Sequence, residues 1–240
     1  MKIVVVSDLH LDQSTAGVDR FLDSAVVLRS AGAYAASRKA DALVFNGDLC
    51  DPHTARAHRS LETLAEVVSM LHAVNIPTFL LPGNHDVIED GSGRTVLDVF
   101  RWMDGAALRD EPGAHVFEGP YSCSRCNVIW LPFTPSSRAY DPDEFIRSLV
   151  LEERDVIPTV VFGHLNLEGI VPGSETTDMP RGRDVYWPLK ALRECFPNAF
   201  LVGGHYHTPQ VFEGVHVVGS GARLRFDEKD NEVGFMVLEV

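Results

Sequence analysis

Five short stretches of this 240-residue chain carry the residue types that do chemistry: Asp8-Leu9-His10, Gly47-Asp48-Leu49-Cys50-Asp51, Gly83-Asn84-His85-Asp86, Gly163-His164 and Gly204-His205-Tyr206-His207. They hold five of the ten histidines, each beside carboxylate or amide oxygens or a glycine. Imidazole mixed with carboxylate on this scale suits two divalent transition metals and suits neither calcium nor a thiolate cluster. Mn is the expected ion, with Fe, Zn, Co or Mg as alternatives. Two metals about 4 Å apart need a ligand that serves both, and a carboxylate does so while neutralising charge. Asp48 is the candidate bridge. Asp8, His10 and one of His205 and His207 would complete one site; Asn84, His164 and the other histidine would complete the second. Such a pair activates a hydroxide for in-line attack on phosphorus. His85 is left over to protonate the departing oxygen or to stabilise its charge. Asp51 or Asp86 could orient His85 or a ligand histidine by hydrogen bonding.

The elements that position these residues are read from the apolar runs before them. Ile3-Val4-Val5-Val6, Ala42-Leu43-Val44-Phe45, Thr78-Phe79-Leu80-Leu81, Thr159-Val160-Val161-Phe162 and Ala199-Phe200-Leu201-Val202 read as buried strands, and each delivers one motif from its carboxyl end. In parallel α/β sheets ligands gather beyond those ends. Helical spacing over 18–38 (Phe21, Leu22, Ala25, Leu28) and at Leu61, Leu64, Val68 and Leu71 places helices between the first strands, with a short one from Val96 to Met103. Asp141-Pro142-Asp143-Glu144 has the order of a helix start: cap, proline at the first position, acid three after the cap. Runs from Val211 onward suggest an antiparallel edge or second sheet. Strand and helix alternate without a repeat or linker, so one α/β domain over 1–240 is expected.

The formal charge of −13, from 34 acidic and 21 basic residues, argues against binding nucleic acid or anionic membranes through overall charge. The N-terminal apolar run ends at Asp8, too short for a signal peptide or a span, so a cytoplasmic protein with no membrane partner is expected. Four cysteines describe no disulfide framework, and Cys123/Cys126, half a zinc knuckle, lack a second pair. His53, His58, His72, His115 and His216 read as surface or packing residues, Tyr206 as packing, and Trp102, Trp130 and Trp187 as core.

The ordered set Asp-x-His, Gly-Asp-x-x-Asp, Gly-Asn-His-Asp, Gly-His and Gly-His-x-His resembles the calcineurin-like metallophosphoesterase superfamily. That resemblance implies a four-layer α/β/β/α sandwich, two mixed sheets flanked by helices, with Asp8, His10, Asp48 and His207 at one metal and Asp48, Asn84, His164 and His205 at the other. A narrower resemblance, to the SbcD-type DNA repair exonucleases, is carried by Trp130-Leu131-Pro132-Phe133, the run from His164 to Gly169, Gly204 to Gln210, Gly219-Ser220, Phe226-Asp227-Glu228 and Gly234-Phe235. It implies a two-metal nuclease, exonuclease or endonuclease, acting on DNA, and an SbcC-like ATPase partner. The capping domain and docking segment of that branch are expected to be absent. Arg181, Arg183, Arg223 and Arg225 are the candidates for phosphate contact. The alternative function is a phosphoesterase for small nucleotide or phosphomonoester substrates; a non-catalytic interaction module on the same fold ranks last.

Overall fold

The computed structural model describes residues 1–15, 17–51, 57–88, 90, 92–120, 124–149, 151, 156–170 and 185–240, without the side chains of 57–60 and 136. In chain order the elements are β1 (Lys2–Val6), a small hairpin of β2 (Ser14–Thr15) and β3 (Val18–Asp19), α1 (Phe21–Ser37), β4 (Ala42–Asn46), α2 (Ala57–Val74), β5 (Thr78–Leu81), β6 (Ala106–Leu108), β7 (Gly113–Glu118), β8 (Arg125–Leu131), α3 (Pro142–Ser148), β9 (Thr159–Gly163), α4 (Leu189–Cys195), β10 (Phe200–Gly203), β11 (Gln210–Phe212), β12 (Val215–Val217) and β13 (Met236–Glu239). One sheet has the order β13-β1-β4-β5-β6, parallel except for β13. The other runs β11-β12-β10-β9-β8-β7, with a parallel centre and an antiparallel strand at each edge.

Strand periodicity divides the core into three layers of side chains. Val4, Val6, Leu43 and Phe45 face α1 and α2, where they meet Ala25, Leu28, Val67 and Met70. Their sequence neighbours Ile3, Val5, Ala42 and Val44 point the other way, onto Val128, Trp130, Val160, Phe162 and Val202 of the second sheet. That sheet's far side, Ile129, Leu131, Val161 and Leu201, packs on Ile146, Ala191, Leu192 and Phe196 of the α3–α4 layer. Burial on both faces is why the strands read as unbroken apolar runs. The expected four-layer α/β/β/α arrangement of two mixed sheets is the one observed. At α3, Asp141 Oδ1 accepts from the amides of Asp143 (2.8 Å) and Glu144 (3.3 Å), as the cap-proline-acid order requires.

Several local expectations change. Leu22 and Leu61 lie on exposed faces, because α1 and α2 dock instead through Ala25, Leu28 and Ala31 and through Val67, Met70 and Leu71. The Val96 helix is a 3₁₀ segment ending at Phe100, and Trp102 just beyond it is 87 % exposed, whereas Trp130 and Trp187 are buried. Cys126 is buried between the sheets; Cys123, like His53, lies outside the described residues. Among the described residues no helix is long and apolar enough to cross a membrane.

Candidate metal centre

The loops that leave β1, β4, β5, β9 and β10 meet at one rim of the sandwich. They are stitched by backbone hydrogen bonds: Asp8 N to Gly47 O, His10 N to Asp48 O and Leu11 N to Leu49 O, each 3.0 Å, and Gly204 N to Gly163 O, also 3.0 Å. Asn46, at the end of β4, ties the sheets together by pointing its Nδ2 at the Gly163 (3.3 Å) and Val202 (3.4 Å) carbonyls. Among the described residues, seven non-glycine residues have left-handed φ, and four are Asp8 (51°), His10 (41°), Asp48 (50°) and His205 (82°). Each such conformation costs about 1–3 kcal/mol and concentrates at sites where geometry outranks stability. Gly47 and Gly83 are required by crowding: a Cβ at the first would overlap the His164 ring, and at the second the Asp48 carboxylate.

The structure brings all seven proposed ligands together. Asp8, His10 and His207 offer donor atoms within 4.8 Å of one another, and so do Asp48, His164 and His205. Asp48 faces both groups with one atom: its Oδ2 is 3.7 Å from His10 Nε2 and 3.3 Å from His164 Nε2. Its other oxygen is anchored, accepting from the His85 amide at 2.9 Å. Asn84 Oδ1 lies 3.3 Å from His164 Nε2 and 3.0 Å from His205 Nδ1, so the amide oxygen joins the second group. His164 Nδ1 donates to Asn46 O at 2.9 Å, which fixes the tautomer and turns Nε2 toward the carboxylates.

The donor set fits cations. Both ring nitrogens of His10 and Nε2 of His205 are buried without a hydrogen-bond partner, a costly arrangement that a metal ligand would need. Burial holds both of these histidines below their ordinary pKa, His205 at about 3, so they stay neutral. Burial would lower His164 as well, but Asp48 and Asp8 outweigh it and push it up to about 9. Burial raises Asp8 to about 6. Against the upward push of burial, His164, His85 and His10 hold Asp48 well below the usual carboxylate range. The carboxylates thus collect positive charge at His164, and metal binding would displace that proton.

The surrounding residues divide into three roles. Asp51 Oδ1 lies 3.4 Å from His85 Nδ1, a charge contact longer than a good hydrogen bond. Burial opposes protonation of His85, but Asp48 and Asp51 prevail and raise it to about 9, so it carries its proton at neutral pH. Asp86 contacts the loops rather than a ligand histidine: it accepts from Gly83 N (2.9 Å), Cys50 N (3.0 Å) and Leu49 N (3.4 Å), clamping the Asp48 and Asn84 loops together. Burial and the nearby Asp48 raise it to about 7.

Sequence reasoning missed two supports. Glu228 is buried and places Oε1 2.6 Å from His207 Nδ1, while its Oε2 accepts from Leu224 N at 2.7 Å and Arg225 N at 3.3 Å. The run Phe226-Asp227-Glu228 stands out in the sequence, but no spacing assigns Glu228 this role, since it approaches from 21 residues away. Asn46 had a signal, an amide ending an apolar strand. Of the arginines, Arg181 and Arg183 lie outside the described residues. Arg223 is exposed and donates from Nε to Asn231 O at 3.1 Å, and Arg225 is half-buried beside Glu228. Tyr206 packs as expected, its hydroxyl accepting from Leu167 N at 2.9 Å.

Residues 1–209 match the model of the family described as calcineurin-like phosphoesterase. Among curated proteins, the chain is 23 % identical over 258 aligned positions to the SbcD component of the nuclease SbcCD from Staphylococcus epidermidis; the match covers 100 % of this chain and 66 % of that protein's length. Among solved structures it is similar to a dimetal phosphatase from Danio rerio (14 % identity, TM-score 0.56, 99 % of this chain and 91 % of that one). It is also similar to a purple acid phosphatase from yellow lupin, Lupinus luteus (14 % identity, TM-score 0.55, 99 % and 48 %). At these identities the structural likeness speaks for the fold alone.

Proposed function

The chain belongs to the calcineurin-like phosphoesterases, and on that footing we propose that it is a two-metal phosphodiesterase that cuts DNA, a nuclease of the SbcD kind. Asp8, His10, Asp48 and His207 would hold one ion and Asp48, Asn84, His164 and His205 the other. The observation that carries this reading is the Asp48 carboxylate, anchored through Oδ1 and facing His10 and His164 with Oδ2. When bound, the two ions supply Lewis-acid chemistry, polarising the phosphoryl oxygens and making water a nucleophile at neutral pH. The protein's own groups do the rest. Asp51, against Nδ1 of His85, leaves Nε2 as the nitrogen that gives its proton to the departing oxygen as the phosphorus–oxygen bond breaks. Glu228 fixes the ring of His207, Asn46 fixes that of His164, and Asp86 holds the two loops at their spacing.

DNA as substrate is supported by the likeness to the SbcD component of SbcCD along the whole of this chain. An SbcC-like ATPase partner is proposed on the same ground. The net charge of −13 favours the second reading, a small nucleotide or phosphomonoester substrate that needs no extended basic surface. The deciding assay, in Mn buffer at low salt, compares end-labelled duplex and single-stranded DNA with bis(p-nitrophenyl) phosphate, using His85→Ala as the blank. Degradation of DNA that vanishes in the variant supports the nuclease. Turnover of the small diester alone would transfer the assignment to nucleotide-sized substrates.

A further inference from the structure

A basic cleft lies on the surface of this acidic protein. It lies between α1 and the turn at Phe226–Glu228, encloses ≈ 500 Å³, and is lined by Arg20, Arg223, Arg225 and Lys229 with Val26 and Phe226. Among the described residues, the only carboxylate in the lining is Asp23, already paired with Arg20 at 3.1 Å. Asp227 and Asp230 flank the turn in sequence but do not line the cleft. Phe226 is 71 % exposed and Val26 58 %, so apolar side chains stand open among four cations.

The cleft is joined to the metal centre through its floor. Ser220 N donates to His207 O at 3.0 Å, and the amides of Leu224 and Arg225 donate to the same Glu228 carboxylate that holds the His207 ring. One chain segment thus supports a ligand histidine through Ser220 and Glu228 and lines the cleft through Gly221, Ala222, Arg223 and Arg225.

Cations along a groove with an exposed aromatic ring are the two components of sequence-tolerant binding of single strands: phosphates meet the charges and a base stacks on the ring. We propose that this cleft seats the single-stranded continuation of the nucleic-acid substrate, with Phe226 as the stacking platform and Arg223, Arg225 and Lys229 on the phosphates. The proposal rests on the nuclease reading above. An acidic protein segment would meet the same charges, but it brings no base to stack on the ring of Phe226.

The test uses the full chain in Mn buffer. Binding of a short fluorescein-labelled oligothymidylate to the His85→Ala protein is followed by anisotropy, alone and with Phe226→Ala or Lys229→Gln added. Phe226→Ala is expected to weaken binding about tenfold, the loss of one stacked base. Lys229→Gln is expected to lower the slope of log affinity against log salt by about 0.7, the loss of one single-strand phosphate contact. With His85 intact, Phe226→Ala should lower the ratio of kcat/KM for single-stranded DNA to that for bis(p-nitrophenyl) phosphate about tenfold, a readout that misfolding would leave unmoved. Variants that bind and cut DNA as the parent does overturn the cleft assignment, spare the nuclease reading and leave an acidic protein segment as the occupant. A parent that neither binds nor cuts the oligonucleotide, yet turns over the small diester, overturns both.

Discussion

His85 and His207 both lie against the ring of His10, at 4.8 and 5.2 Å, with opposite surroundings, and those surroundings set their tasks. His85 faces Asp51 at 3.4 Å and is raised to about 9, a proton carrier beside the donor cluster. His207 is held by Glu228 through Nδ1, leaving its other nitrogen for a metal. His85→Ala is therefore expected to bind two metals per chain by elemental analysis while phosphodiester turnover falls by about 10²–10⁴-fold, the usual contribution of a positioned acid. Loss of metal in step with activity would make His85 a ligand and remove its assignment as a donor. Glu228→Gln should act in the reverse order. It preserves shape but removes the charge that orients the imidazole, so metal affinity measured by competition with a chelator should fall about 10–100-fold. Saturating Mn should then restore most of the rate.

At the scale of elements, the pairing of β7 with β8 carries a pH response separate from the site. His115 stacks on Trp130 at 5.9 Å and accepts from its indole Nε1 at 3.2 Å, beside Arg109, which lies 5.9 Å from the same ring. Burial first and Arg109 second lower the imidazole from 6.5 to about 4. The unfolded chain takes up this proton near 6.5 and the folded one only near 4, so the contribution to stability is complete above 6.5 and is lost as pH falls toward 4. His115→Phe should shrink the drop in urea midpoint across that interval; an identical drop in both proteins would contradict the account. The elements also show why the sequence was legible where it was. Strands buried on both faces announce themselves as apolar runs, and each hands a motif to the rim, so the seven donors could be assembled from chain order and topology alone. Leu22 and Leu61 misled because α1 and α2 hold more apolar residues than one face accommodates. Trp102 misled because composition says nothing about a 3₁₀ turn that ends at the surface. Asp51 and Asp86 looked alike in sequence and differ only in the third dimension, where one meets His85 and the other meets three loop amides.

For the whole molecule, the rim concentrates a cost that bound cations would relieve. Asp8, Asp48, Asp51 and Asp86 are buried together with His10, His164, His205 and His207, four of the rim residues hold left-handed backbone, and the chain already carries a net charge of −13. Selection for stability alone would not keep this arrangement, in which burial first, and the Asp48 charge after it, raise the pKa of Asp8 and Asp86. Two divalent ions would neutralise the cluster and bind the folded state far better than the unfolded one. Free metal at about 100 times its Kd adds about 2.7 kcal/mol per site. For a chain of this size, two filled sites amount to a rise in Tm of roughly 10–20 °C. Protein stripped with EDTA should melt lower by that amount, Mn should restore it, and Asp48→Ala should abolish the difference because the shared carboxylate serves both ions. Identical melting with and without Mn would mean that the buried cluster is tolerated on its own, and the two-metal reading of the rim would fail with it.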